Sequence, residues 1–211
     1  MKKKRQRPSL RPPAALENLH GFPQFLLADK RPIFRLVRDG LGPWWFSSSL
    51  NGRFDLPAPE GTCYLASDEL GAILEHLGPE LLPGGCVPAS LLTGRHVREL
   101  RVPRPFRLAD SLRERAVRWV TAELSTLVPY GMAQAWARAF RGAGYEGVRY
   151  STRHSTSRRR ESYALFDASG ERRWKRGRRI ASAAKYRDQL RARCGIEVFD
   201  VPSSHALTFA T

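Results

Sequence analysis

The sequence predicts an α+β fold in a single domain, with short strands forming a mixed sheet core and about three helices. Three observations carry that expectation. The chain has 211 residues, enough for one domain with a substantial core or at most two small ones. Short alternating or β-branched runs recur along it, separated by turn signals drawn from its 17 Gly and 15 Pro. Three longer segments read as helices. Hydrophobic residues at 42% and charged residues at 27% are ordinary globular usage, which excludes collagen-like, coiled-coil and wholly disordered chains.

The elements follow in order. Pro32 to Arg38 alternates apolar and polar residues and reads as a strand stopped by Asp39-Gly40. Gly42-Pro43 opens a loop through Trp44, Trp45 and Ser47 to Ser49, and Asn51-Gly52 turns the chain back toward Arg53-Phe54. Thr62 to Ala66 is a short strand. Ser67 is placed to cap a helix over Asp68 to Leu77, whose Leu70, Ile73, Leu74 and Leu77 share one face before Gly78-Pro79 ends it. Arg95 to Val102 reads as a further strand ahead of Pro103 and Pro105. Gly131 to Arg141 is amphipathic, with Met132, Ala135, Trp136, Ala139 and Phe140 on one side. Gly147 to Ser151 and Ser162 to Phe166 read as paired strands with a basic loop between them. Ile180 to Cys194 is expected to be a basic helix closed by Gly195, followed by a strand over Ile196 to Asp200.

Charge is distributed unevenly. The formal net charge is +16, and residues 1–13 contribute +6 while residues 153–193 contribute +10. The rest of the chain is formally neutral. The tail Lys2, Lys3, Lys4, Arg5 and Arg7 is broken by Pro8, Pro12 and Pro13 and carries no interleaved aromatic residue, so it reads as a solvated tail. The later runs Arg158 to Arg160 and Arg172 to Arg179 form a stronger patch, fit for an acidic protein or a nucleic acid. Met1 to Pro13 is basic with no apolar stretch behind it, and no apolar run approaches the roughly 20 residues of a membrane span. Cys63, Cys86 and Cys194 are far apart and lack C-x-x-C spacing, which fits reduced thiols. Together these features lead to the expectation of a cytoplasmic protein without a membrane partner.

Gly142-Ala-Gly144-Tyr-Glu-Gly147 matches the dinucleotide fingerprint letter for letter, but a helix precedes it and a strand follows. No helix N-terminus then points at a phosphate, and a helix cap plus turn accounts for the glycines. No P-loop, metalloprotease or nucleophile-elbow motif occurs, and the five histidines do not cluster with acids at ligand spacing. No metal site or bound cofactor is expected.

What remains is a dispersed set: Arg35, Arg53, Tyr64, Glu75 and Ser151. The chain resembles the RES-domain family on Ile33-Phe-Arg-Leu, Gly52-Arg-Phe, Gly61-Thr-Cys-Tyr-Leu-Ala followed by Leu74-Glu75, and Glu123-Leu-Ser-Thr. Ala133-Gln-Ala-Trp-Ala, Gly147-Val-Arg-Tyr-Ser-Thr-Arg and Ala164-Leu-Phe-Asp extend the resemblance over about residues 30–200. The Arg, Glu and Ser that name the family map to Arg53, Glu75 and Ser151. The resemblance implies a fold like that of ADP-ribosyltransferase toxins over a domain of residues 30–211 that includes the basic segment 153–193, and residues 1–29 are left as a basic tail and lead-in. It implies NAD⁺ as substrate rather than cofactor, and a helix-turn-helix antitoxin as partner. The basic tail and the stretch 158–179 depart from the compact family form.

The residue types suit that chemistry. Cleaving a nicotinamide–ribose bond passes through an oxocarbenium-like state with a leaving group that departs as a neutral base. Arg35 and Arg53 are candidate pyrophosphate clamps, because a guanidinium bonds phosphate oxygens through a planar fork. Tyr64 would stack on the nicotinamide or its ribose. Glu75 would hold a ribose hydroxyl and stabilise charge at the anomeric carbon, and Ser151 would hydrogen-bond the nicotinamide amide or the ribose. Taken singly, each has an ordinary reading: a snorkelling or ion-paired arginine, a packed strand tyrosine, a turn serine. A different function class, a basic nucleic-acid-binding module without catalysis, draws on the +16 charge and on residues 153–193.

Overall fold

The computed structural model describes residues 10–14, 19–81, 84–152 and 160–200. Expectations placed on Lys2 to Arg7, Arg158 and Arg159 lie outside them. Strands β1 (Gln24–Leu27), β2 (Ile33–Arg38), β3 (Trp45–Phe46) and β4 (Glu60–Ala66) precede helix α1 (Glu69–Leu77). Then come β5 (Cys86–Pro88), β6 (Arg95–Leu100), β7 (Phe106–Asp110), the single turn α2 (Glu123–Thr126) and α3 (Gly131–Gly142). The chain continues through β8 (Gly147–Ser151), β9 (Glu161–Ala168), β10 (Gly170–Glu171), β11 (Arg178–Ser182), α4 (Arg187–Cys194) and β12 (Glu197–Phe199). The architecture is α+β, as the sequence predicts.

Eight strands form one mixed sheet in the order β1-β7-β8-β9-β4-β2-β6-β11. Within it only β7 and β8 run parallel. Strand alternation sorts the side chains onto two faces. On the first, α3 lays Ala133, Trp136, Ala137 and Phe140 against Val148, Tyr150, Ala164 and Phe166. This buried stripe lies toward Ala133 and Ala137, with the expected Met132, Ala135 and Ala139 at its half-buried margin. Helices α1 and α4 extend the same layer, packing Leu70, Ile73, Leu74, Leu77 and Leu190 around Val97. Each fully buried side chain of this kind contributes about 1.5–3 kcal/mol.

Among the described residues, the opposite face is covered by chain without helix. Trp44, Phe46 and Trp174 pack over Cys63, Leu65, Leu108 and Leu165, and the Trp44 indole satisfies its buried N–H by donating to Lys175 O at 2.8 Å. The segment expected to be loop around Trp45 is thus β3, paired to β10. Residues of the lead-in belong to the core: β1 pairs β7, and Leu10, Leu19 and Phe22 are buried with α3.

Two further expectations are corrected. Asp68, not Ser67, caps α1 and accepts from Gly71 N at 2.8 Å, while Ser67 Oγ accepts from Glu161 N. The segment Ile180 to Cys194 is not one helix. Gly177, at φ +61, turns the chain so that 178–182 adds an edge strand to β6, and helix begins only at Arg187 after a 3-10 turn. The remaining long elements lie where alternation or helical spacing puts them.

The sheet has one seam. Strand β4 pairs β9 over seven residues, Glu60 to Ala66, and β2 pairs β6 from Ile33 to Arg38. Between β2 and β4 the register holds a single pair, Phe34 with Ala66. The two strands diverge beyond it, and a cavity opens where they part.

Candidate active site

The cavity of about 270 Å³ is walled by β2, β4, α1, the turn at Asn51 to Arg53, Tyr130 and Tyr150. Glu75 comes from α1, on the flank of that helix next to its buried stripe. Its Oε1 accepts from Ser162 Oγ at 3.0 Å and its Oε2 from Tyr150 OH at 3.3 Å. Ser162 is fully buried and is also bonded to Thr152 Oγ1. Residues Tyr150 and Ser162 are register partners across β8 and β9, so the sheet places both hydroxyls beneath the carboxylate.

Arg53 is buried, with 7% of its surface exposed. Its Nη1 donates to Leu127 O at 2.9 Å, and its guanidinium carbon lies 4.6 Å from the centre of the Tyr130 ring, a cation–π arrangement. Tyr64 stands on β4 with its hydroxyl committed: it donates to Asp55 Oδ1 at 2.8 Å and accepts from Phe54 N at 2.8 Å. The ring, not the hydroxyl, is what Tyr64 offers the cavity. Asp55 is itself buried and accepts from Gly52 N and Ser49 Oγ. A side chain at position 52 would put Cβ 2.4 Å from Asp55 Oδ1 and 2.5 Å from Tyr64 OH, so glycine is required there by close approach.

The electrostatics keep both phenols protonated. Burial, then the Asp55 carboxylate, pushes Tyr64 well above the ordinary tyrosine value. Tyr150 is raised in the same way by burial and by Glu75. Each therefore serves as a hydrogen-bond donor to its carboxylate. His76, also in the wall, is held below its usual value by burial and by Arg95, which favours the neutral imidazole.

Of the residues singled out from sequence, Arg53, Tyr64 and Glu75 meet at this cavity. Arg35 borders it, but Ile33, Arg35 and Cys63 share the other face of the sheet. The Arg35 Nη1 donates to Pro43 O, to Trp45 O at 3.2 Å and to Cys63 Sγ at 2.8 Å. Its guanidinium ties the loop before β3 to the sheet. Ser151 is not part of the described wall. It follows Tyr150 on β8, and strand alternation assigns it to the face that carries Arg149; Ser162 is the serine that reaches Glu75. Sequence reasoning missed Ser162, Tyr150, Asp55 and Tyr130. For Asp55 a local signal exists, since a carboxylate three residues after Gly52 suits a turn closed by its own side chain. The other three meet the site only through tertiary pairing.

Among the described residues no helix is long and apolar enough to cross a membrane. The three cysteines are free thiols. No curated protein matches the sequence. A chain in the crystal structure of the M. tuberculosis MbcT–MbcA toxin–antitoxin complex is similar in fold, with a TM-score of 0.55 and 14% identity. The match covers 79% of this chain and 92% of that one. At that identity the likeness speaks for the fold. The RES domain model matches residues 32–205, a span that holds the seam, the cavity and every residue just placed in its wall, and the chain therefore belongs to the RES domain family.

Proposed function

We propose that this protein is a toxin that cleaves the nicotinamide–ribose bond of NAD⁺, by hydrolysis, phosphorolysis or ADP-ribosyl transfer, and that a cognate antitoxin neutralises it. One observation carries the reading: an arginine, a tyrosine ring and an oriented carboxylate line a single cavity. Family membership supports it, as does the likeness to a chain from a toxin–antitoxin complex.

Glu75 would act at the ribose. Two hydroxyl donors set the plane of its carboxylate, which would orient it toward a ribose hydroxyl and let it stabilise positive charge at the anomeric carbon as the bond lengthens. The nicotinamide leaves as a neutral base, so no proton need be delivered to it. Arg53 would hold an anionic oxygen of the substrate, with Leu127 O and the Tyr130 ring fixing its guanidinium beforehand. The Tyr64 ring would pack against the nicotinamide or its ribose. Arg35, bound to two carbonyls and a thiol, would support the wall from behind. Ser151 would hydrogen-bond the nicotinamide amide or the ribose only where the substrate extends past the described wall, which does not include it, and its substitution by Ala is expected to cost less than Ser162→Ala.

Purified protein incubated with NAD⁺, with and without phosphate and with cell extract as a source of acceptors, should yield free nicotinamide. Intact NAD⁺ under every condition would overturn the reading. The antitoxin is expected to be acidic where it meets the exposed Arg173, Arg176, Arg178 and Arg179, since charge complementarity speeds association and sets specificity. Reversing Arg173, Arg176 and Arg179 to glutamate should weaken inhibition most at low salt while NAD⁺ consumption stays near normal. Tight, salt-sensitive binding of duplex DNA with no NAD⁺ turnover would favour the nucleic-acid-binding reading instead.

A further inference from the structure

The cavity beside Glu75 is small for the substrate it is proposed to hold. Pockets that bury a drug-sized ligand run from about 300 to 1,000 Å³, and about 270 Å³ lies below that range. A dinucleotide with two ribonucleotide halves overfills it, so one half must lie elsewhere.

A second, more open pocket of about 720 Å³ adjoins the first, and Phe34 belongs to the walls of both. Its other walls come from the start of α1, from Arg160 at the beginning of β9, and from Gln189 and Arg193 on α4. Helix α1 runs along both spaces. Glu69 faces the second, Ala72 and His76 face the first, and these three positions form one helical stripe about 10 Å long. The distance suits two ends of one extended molecule lying along the helix.

The groups in the second pocket are those a nucleotide engages. Arg160 and Arg193 both line this pocket. Arg160 also meets the Asp68 carboxylate at 3.5 Å. The Glu69 carboxylate accepts from Tyr186 OH and keeps further lone pairs for ribose hydroxyls. Gln189 supplies an amide with both a donor and an acceptor, and the Phe34 ring offers a flat apolar surface. Guanidinium groups for phosphate, a carboxylate for ribose and an aromatic face for a base thus surround one pocket.

We propose that this second pocket is the subsite for the adenylate half of the dinucleotide, with Arg193 gripping phosphate and Phe34 dividing the two halves. The proposal rests on the reading of the Glu75 cavity as the nicotinamide end. The test has a binding arm and a kinetic arm. In calorimetric titration AMP should bind the wild-type protein, and Arg193→Glu, an exposed helix position, should weaken that binding at least about tenfold. Absence of AMP binding, or equal binding by both proteins, overturns the subsite. In the kinetic arm, the ratio of kcat/KM for NAD⁺ to that for nicotinamide mononucleotide, which lacks the adenylate half, should fall about tenfold in Arg193→Glu. An unchanged ratio overturns the subsite and leaves the cleavage reading standing. Arg193-dependent AMP binding in a protein that cleaves neither nucleotide would sustain the subsite and sink the cleavage reading.

Discussion

Two clusters built from the same kinds of residue lie on opposite faces of the sheet. On the helix-covered face, Glu75 meets Tyr150 and Ser162 at a cavity that also holds Arg53 and Tyr64. On the other face, Arg149 bridges Asp110 at 2.8 Å and Glu161, while Tyr163 OH donates to Glu161 Oε2 at 2.9 Å. The Arg149 guanidinium also lies 4.4 Å from the centre of the Phe25 ring, and Arg31 adds a second charge at 3.5 Å from Glu161. The difference is in what each carboxylate faces. Glu161 meets guanidinium groups that complete it, and the cluster is closed. Glu75 is oriented by hydroxyls in the wall of a cavity that Arg53 and Tyr64 also line. Residue type alone does not mark a site; a carboxylate positioned at an open volume does.

Breaking each cluster should therefore cost different things. The largest effect is expected from Arg149→Ala, which leaves the fully buried Asp110 carboxylate with the exposed Arg113. Loss of a buried pair costs about 3–5 kcal/mol, and the remaining arginine points to the lower end. Urea unfolding should show the loss, with NAD⁺ turnover per folded molecule near normal; an unmoved midpoint would mean that the closed cluster adds nothing to stability. Next comes Glu75→Gln, expected to lower NAD⁺ turnover by about 10²-fold with little change in thermal stability. Near wild-type turnover would remove Glu75 from the chemistry. Arg53→Lys should raise KM about tenfold, because an ammonium cannot hold Leu127 O, stack on Tyr130 and fork to a phosphate together. Unchanged kinetics would make Arg53 a structural residue.

The smallest effect concerns pH. Burial works against the Glu161 charge, but the Arg149 and Tyr163 hydrogen bonds and the charges of Arg149 and Arg31 outweigh it, so the carboxyl lies below its ordinary 4.5. A depressed folded value means that its stabilisation is complete above about 4.5 and fades as pH falls through the lower folded value. Stability measured down through that window should decline less steeply in Arg149→Ala than in wild type. Equal slopes would show that Glu161 does not couple to Arg149.

Much of this was legible in the sequence. Alternation placed β2, β4, β8 and β9, and helical spacing placed α1 and α3, because each buries one face against a large core. Strands β1 and β7 went unread: the first has only four residues, and the second follows Pro103 and Pro105. The segment at Arg178 to Ser182 reads as basic helix because its strand identity comes from the free edge of β6, a tertiary cause that local propensity does not contain. Arg53, Tyr64 and Glu75 were found through motif resemblance. Their partners Ser162 and Tyr130 come from distant segments. Ser151 comes from the motif resemblance, whereas Ser162 reaches Glu75 through the strand pairing that makes it the partner of Tyr150, which a motif does not record.

The single-pair register at Phe34 and Ala66 also has a mechanical side. It divides the sheet into a five-strand part from β1 to β4 and a three-strand part from β2 to β11, sharing little backbone hydrogen bonding across the division. Beyond that pair β2 and β4 share no register partner, and Thr62 of β4 pairs with Ser47 instead, so this line is where the sheet yields most readily to shear. A molecule lodged in the seam touches both parts and acts as a rivet, and its binding energy adds to the cohesion of the fold in proportion to its occupancy. Slowed amide exchange along both lips of the seam would be the signature of an occupied site.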